Sequence, residues 1–284
     1  MNLNSPAKIN LFLTIMDQRS DGYHLLFTLM SPIGIYDKII IETRKSNIKI
    51  TCDHPMVPED ESNLAFKAAK LFIDAFETKV KAFPGAVTIH LEKNIPVGAG
   101  LGGGSSNAAT VLLGLNRHYG FPFTLNTLMK MGLEIGADVP FFLYEKPVIA
   151  TGIGEILETY EKLDPYKVLL VYPGFSVSTA MVYKNFNLQL TNCKKKINYS
   201  LFKKDKFIPS QHLCNDLESV VFSLHSELSE IKTLLMHLGA CGALMSGSGS
   251  SIFGLFDNHK LAQKAYEVLH QKKEWHIHLT DLIL

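Results

Sequence analysis

The sequence predicts an α+β fold arranged as two lobes, and three observations carry that reading. Strand-like and helix-like patterns mix along the chain without the strict βαβ succession of a parallel sheet. A glycine-dense segment at 98–104 joins an alternating strand pattern to a helical one. The mixed pattern then begins again near Thr151, so the boundary falls at 150–160 and the lobes are 1–155 and 156–284.

Ile9 to Ile15 reads as the first strand, closed by a turn at Arg19-Ser20-Asp21-Gly22. Ile39-Ile40-Ile41 and Ile48-Lys49-Ile50, dominated by β-branched residues, read as further strands. Asp60-Glu61-Ser62-Asn63 supplies capping chemistry for a helix whose apolar positions Leu64, Ala68, Leu71, Phe72 and Ala75 recur at helical spacing. Val87 to Glu92 alternates apolar and polar residues, as a half-buried strand does. After the glycine segment, Ala108, Ala109, Val111, Leu112 and Leu115 share one helical face, and Leu125 to Glu134 forms another helix, ended near Gly136.

In the second half Val168 to Tyr172 is a buried-strand run closed by Pro173-Gly174. Residues 187–211, with Lys194, Lys195, Lys196, Lys203, Lys204 and Lys206, read as a solvated excursion. Ile231 to Leu238 is helical, Gly242 to Phe256 is a glycine–serine turn feeding a strand, and Leu261 to His270 is a final amphipathic helix.

Composition narrows the function classes. A chain of 284 residues with 46 % hydrophobic content builds one large domain or two ordinary ones. The formal net charge is +1, which provides no field to gather a polyanion. All but three of the 28 basic residues are lysines, and Arg19, Arg44 and Arg117 are too few for a reader of base edges. Cys52, Cys193, Cys214 and Cys241 are scattered and form no CxxC, so reduced thiols are expected rather than a disulfide framework or a zinc knuckle. The N-terminal residues carry no charged-then-apolar leader, and no apolar run approaches the ~20 residues of a membrane helix. The expectation is a soluble, cytoplasmic protein, a monomer or weak homodimer, with neither nucleic acid nor membrane as partner.

The strongest local signal is Pro96-Val97-Gly98-Ala99-Gly100-Leu101-Gly102-Gly103-Gly104-Ser105-Ser106. Five glycines in seven residues, between a strand and a helix, allow backbone N–H groups to turn inward, where the helix adds its own unpaired donors and positive dipole end. That makes a phosphate cradle. Known cradles fail individually. Gly98, Gly100 and Gly103 fit a dinucleotide fingerprint, yet no acidic residue lies between Glu92 and Glu134 to hold a ribose. Gly98 and Gly103 have Walker A spacing, but Gly104 occupies the lysine position. The HRD and DFG sequences of protein kinases are missing.

What remains resembles the GHMP kinases, whose second motif is a proline followed by glycines and serines at a helix start. Ser5-Pro6-Ala7-Lys8-Ile9-Asn10-Leu11 is similar to the N-terminal motif of that family, and Met245 to Gly254 to its C-terminal one. The resemblance implies an N-terminal lobe like a ribosomal-protein domain and a ferredoxin-like C-terminal lobe. It implies an ATP-dependent small-molecule kinase, with the loop 96–106 holding the ATP phosphates, Asn63 and Leu64 meeting the adenosine, and Lys93 flanking it. Mg²⁺ is expected to arrive on the nucleotide, because no carboxylate pair announces a metal cage.

Gly136-Ala137-Asp138-Val139-Pro140 sets one carboxylate in a turn after a helix, and Pro140 is expected to hold Val139 extended. Alone, such an Asp is more often a cap; the resemblance makes Asp138 the catalytic base and Lys8 its partner. Phosphoryl transfer passes through a loose transition state, so positioning and charge neutralisation carry most of the catalysis. On the acceptor side, Asn10 belongs to the first motif. Asp21-Gly22-Tyr23-His24 resembles the branch whose acceptor is a cytidine-diphosphate-linked methylerythritol, phosphorylated at its 2-hydroxyl on the route to isoprenoid precursors. There Tyr23 stacks on the cytosine, His24 reads its edge, and Thr179 and Tyr183 close the other side. Two rivals stay open: a family member acting on homoserine, mevalonate or a sugar, and a non-catalytic nucleotide-binding module.

Overall fold

A computed structural model describes residues 1–44, 47–81, 85–188, 193, 202 and 206–284. Most of the lysine-rich excursion lies outside these residues; of its lysines only Lys206 is described, paired with Asp164 at 2.8 Å. The chain forms two compact units that are discontinuous in sequence. The first comprises Met1–Ala7, Ile35–Val97 and Gly102–Glu145, and the second Lys8–Gly34, Gly98–Leu101 and Lys146–Leu284. Two long strands, β1 (Asn2–Gln18) and β2 (His24–Arg44), contribute residues to both.

In the first unit the sheet is completed by β3 (Lys49–Cys52) and β4 (Ala86–Glu92). β2 pairs antiparallel with β4, setting Ile39 against Leu91 and Ile41 against Ile89, and β3 pairs parallel with β4. The alternation read over 87–92 is therefore a true half-buried strand. Over it lie α1 (Leu64–Val80), α2 (Gly103–His118), α3 (Leu125–Ile135) and the short α4 (Val139–Tyr144). The Asn63 side chain caps α1 by accepting from the Ala65 amide at 2.9 Å. Buried Ala65, Ala68, Ala69, Phe72 and Ile73 then recur at i, i+3, i+4, i+7 and i+8 on its inner face. Phe72 meets Phe123 edge-on with ring centroids 5.2 Å apart. At Gly114 a Cβ would stand 2.4 Å from a Leu3 methyl, so glycine lets α2 approach the sheet.

The second unit carries the other part of β1 and β2, joined by the turn 19–23, in which Gly22 takes φ +89°. It adds β5 (Val148–Thr151), β6 (Ile156–Thr159), β7 (Lys167–Tyr172), α5 (Thr179–Lys184), α6 (Pro209–His212) and β8 (Cys214–Asn215). Then come α7 (Glu218–Leu224), α8 (Glu227–His237), β9 (Gly242–Met245), β10 (Ile252–Phe256), α9 (His259–Leu269) and β11 (His276–Asp281). β8 lies parallel to β1, with Phe12 opposite Cys214 and Leu13 opposite Asn215. A second sheet has the antiparallel order β11-β7-β10-β9. With α8 and α9 packed against it, this is the βαββαβ arrangement of a ferredoxin-like domain, as the resemblance implies. Its core joins Leu169, Val171, Ile231, Leu235, Ile252 and Phe256.

Two sequence expectations are corrected. Residues 242–245 are strand rather than turn: Gly242-Ala243-Leu244-Met245 is wholly buried, and its small residues imitate a loop. A Cβ on Gly242 would stand 2.5 Å from a Leu213 methyl, so any larger residue there would have to push that side chain aside. The expectation of reduced thiols fails for two cysteines, since Cys193 and Cys214 form a disulfide across 21 residues. The two cysteines have no close spacing to signal the pair, which tertiary structure makes neighbours, with Cα atoms 5.7 Å apart. Cys52 and Cys241 are free thiols.

Candidate active site

In the second unit three motifs distant in sequence meet. The Lys8 amide donates to Leu101 O at 3.0 Å, which ties the first motif to the glycine loop. The Lys8 ammonium donates to Asn10 Oδ1 at 2.5 Å, and Asn10 Nδ2 donates to Thr28 Oγ1 at 3.0 Å. Both side chains are buried, Lys8 with 4 % and Asn10 with 3 % exposure. Gly247 of the C-terminal motif closes over them at φ +56°; a Cβ there would lie 3.3 Å from Lys8 Nζ and 3.1 Å from Gly100 O.

The same unit explains the loop's first glycines by close approach. Gly98 and Gly100 both have positive φ, and a Cβ on Gly100 would stand 2.1 Å from Ser246 O. Ser246 Oγ donates to Gly100 O at 2.9 Å, and the Ser251 amide to Ala99 O at 3.2 Å. Asn215, at the end of β8, donates its amide to Met245 O at 2.9 Å and Gly247 O at 2.7 Å. Ala99 and Leu101 point into the core. Ser246, Gly247 and Asn215 were not singled out from the sequence. The first two stand inside a recognised motif, while Asn215 has no local signal.

The residues expected on the acceptor side fall in this unit too. His24 opens β2, and its ring lies 5.3 Å from that of Tyr183, tilted by 34°. Phe186 meets His24 edge-on at 6.0 Å. Burial pushes the His24 imidazole below its usual pKa. Tyr23 is 60 % exposed, its amide held by Asp21 Oδ1. Thr179 and Tyr183 sit one turn apart on α5, and Thr179 Oγ1 is hydrogen-bonded to Ser248 Oγ at 2.7 Å.

In the first unit Pro96 and Val97 lead out of the sheet, and Gly102, at φ +70°, stands at the cap of α2 with no side-chain cap bond. The opening turn of a helix carries N–H groups that no intrahelical carbonyl can meet, so Gly103, Gly104 and Ser105 face an anion-favouring position. Ser106 turns inward: its amide bonds Gly102 O at 2.9 Å and its hydroxyl accepts from Ser5 Oγ at 2.7 Å. Leu64 borders Gly104, where a Cβ would be 3.6 Å from a Leu64 methyl. Asn63 is engaged as the α1 cap and with Pro58 O at 2.7 Å. Lys93 is buried, its ammonium paired with Asp37 and hydrogen-bonded to Asn107 Oδ1 at 3.0 Å.

Asp138 is in this unit, whereas Lys8 belongs to the other. The expected extended Val139 is corrected. Asp138 takes a helical φ of −82°, and Val139 begins α4 with Pro140 in its first turn. Proline is welcome there, since the N–H it lacks would have no helical partner. α4 packs against α2, and a Cβ on Gly136 would lie 4.0 Å from Ser105 Oγ. Among the described residues no three His, Cys, Asp or Glu side chains cluster as metal ligands, and no helix is long and apolar enough to cross a membrane.

Comparison with known proteins agrees with this architecture. Residues 63–146 match the GHMP kinases N terminal domain, and residues 195–274 match GHMP kinases C terminal. A 4-diphosphocytidyl-2-C-methyl-D-erythritol kinase of Syntrophus aciditrophicus is 43 % identical over 279 residues, covering 97 % of this chain and 96 % of its own. The protein of that name from Acetivibrio thermocellus is 37 % identical, covering 100 % and 99 %. A crystal structure of 4-(cytidine 5'-diphospho)-2C-methyl-D-erythritol kinase aligns at 35 % identity with a TM-score of 0.81 over all of both chains. Homoserine kinase from Cytophaga hutchinsonii, 18 % identical with a TM-score of 0.75 over 98 % of this chain and 93 % of its own, shares the fold. With both family segments present in order and relatives aligned along nearly its whole length, the chain belongs to the GHMP kinases.

Proposed function

We propose that the protein transfers the γ-phosphoryl group of ATP to the 2-hydroxyl of 4-diphosphocytidyl-2-C-methyl-D-erythritol. The observation that carries this is the 35–43 % identity, along nearly the whole chain, to proteins bearing that kinase's name. His24 and Tyr183 support the cytidine side, because two rings 5.3 Å apart beside an exposed Tyr23 offer both stacking and hydrogen bonds to a base. Likeness to homoserine kinase at 18 % identity speaks only for the fold.

In this reading MgATP enters as a substrate, magnesium carried on its phosphates. The first turn of α2 and the loop amides receive those phosphates, with Ser106 bracing the turn from behind and Leu64 bordering it. Asn63 and Lys93, both engaged in internal bonds, support the nucleotide side. Asp138 accepts the proton of the acceptor hydroxyl as its oxygen bonds to phosphorus and the bond to ADP breaks. Lys8, oriented by Asn10, neutralises charge on the oxygens in transit. The lobes are read as 1–155 and 156–284, with one matched family segment in each. A cytoplasmic monomer or weak homodimer fits a user of ATP and a soluble sugar-alcohol conjugate, with neither nucleic acid nor membrane as partner.

A coupled assay of ADP release with ATP, Mg²⁺ and the cytidine-linked acceptor tests the proposal. Turnover with this acceptor and none with homoserine or mevalonate is expected; the reverse preference overturns it.

A further inference from the structure

The first unit holds a buried polar cluster that the phosphoryl-transfer chemistry leaves unused. Its centre is Asp37 on β2, with no exposed surface. Asp37 Oδ1 accepts from the backbone amides of Asn94 and Ile95, each at 2.8 Å. Asp37 Oδ2 accepts from the Lys93 ammonium and from Asn107 Nδ2, the latter at 2.9 Å. Asn107, on α2, also accepts from Lys93 at 3.0 Å and donates to Ser5 Oγ at 3.0 Å, and Ser5 donates to Ser106. One carboxylate thus fastens the segment that enters the glycine loop to the helix that leaves it.

A buried ion pair is weak evidence for stability, since apolar side chains of like volume usually serve as well or better. What it does supply is fixed geometry, because four donors converge on two oxygens. The location gives that geometry its meaning. A Cβ on Gly103, the first residue of α2, would stand 3.2 Å from Lys93 Nζ. The cluster therefore lies directly beneath the turn whose amides face the phosphates.

We propose that Asp37 is a positioning residue for ATP. Through Asn94, Ile95, Lys93 and Asn107 it sets where the first turn of α2 stands relative to the loop entrance. This rests on the reading of that turn as the phosphate cradle. Removing the carboxylate leaves an ammonium with no buried counter-charge, which loses its proton or withdraws, so no compensating attraction for phosphate is gained. A displacement of about 1 Å in a positioning element costs up to roughly 10²-fold.

The test compares Asp37→Asn, Asn107→Ala and Gly103→Val as purified full-length proteins, measuring kcat and the KM of ATP and of the acceptor. Asn107→Ala cuts the tie to α2 while leaving the Asp37–Lys93 pair intact, so it decides the matter where Asp37→Asn fails to fold. The expected result is an ATP KM raised about tenfold or more, with kcat and the acceptor KM within about twofold of wild type. An unchanged ATP KM in Asn107→Ala, or equal rises in both KM values, overturns the role of Asp37 while Gly103→Val still raises the ATP KM. Should Gly103→Val leave the ATP KM unmoved, the cradle reading fails and this inference fails with it.

Discussion

Asp138 stands at the head of α4 in a helical conformation, its side chain making no cap bond to the helix that it precedes. It is therefore not needed as a cap, and Asp138→Asn is expected to fold and bind ATP while losing turnover by on the order of 10²–10⁴. Turnover near wild type in the folded variant removes it from the mechanism. In the proposed function Tyr23 and His24 divide recognition of the base between them. Tyr23→Ala should weaken the cytidine substrate by roughly 1–3 kcal/mol and leave the ATP KM alone; equal weakening of both ligands makes Tyr23 a packing residue. Because burial lowers the pKa of His24, its ring is neutral at pH 7 and both donates and accepts. As pH falls through the ordinary histidine value near 6.5, the unfolded chain takes up this proton first. Stability therefore falls as the pH drops below that value, because burial penalises the charged ring. Acidification should raise the KM of the cytidine substrate more than that of ATP, and His24→Ala should abolish the difference. These residues were legible in the sequence because each sits in a short contiguous motif. Asp37 and Asn215 were not, since the partners of Asp37 lie 56 to 70 positions away and the carbonyls that Asn215 meets lie 30 to 32 away.

The glycine loop shows how one element serves two demands. Its later glycines open α2, while Gly98 and Gly100 are there because neighbouring backbone and side chains leave no room. Gly100→Ala meets both a positive φ and the Ser246 carbonyl, so it should lower stability by about 1–3 kcal/mol or more. A urea midpoint equal to wild type would refute the packing account. The segment after α5 makes the opposite point. Cys193 and Cys214 read as unrelated thiols, yet their bond closes 21 residues and anchors β8 and the Asp216 that follows it. Asp216 accepts from the amides of Ile15 at 2.9 Å and Cys193 at 3.1 Å, adding a second clasp. Reduction should cost about 3 kcal/mol by chain entropy and lower the Tm. Thiol titration of the denatured protein should find two reactive groups before reduction and four after. Four at the outset would show that the bond is absent in solution.

At the scale of the whole molecule, the sequence revealed element types well and the pairing of distant parts poorly. The helix over 64–80 and the strand over 86–92 announce themselves by local period and caps. The 4-strand order β11-β7-β10-β9 does not, because nothing local encodes which strand lies beside which. Nor does periodicity show that β1 and β2 contribute residues to both compact units. The pairing of β1 with β8 has a consequence during synthesis. Phe12 and Leu13 leave the ribosome first, but their partners Cys214 and Asn215 are added only about 200 residues later. At 5–20 residues per second, one edge of the first strand waits roughly 10–40 s with unpaired amides. The nascent chain should accordingly recruit a holding chaperone through its N-terminal strand, and stalling translation before residue 214 should prolong that association.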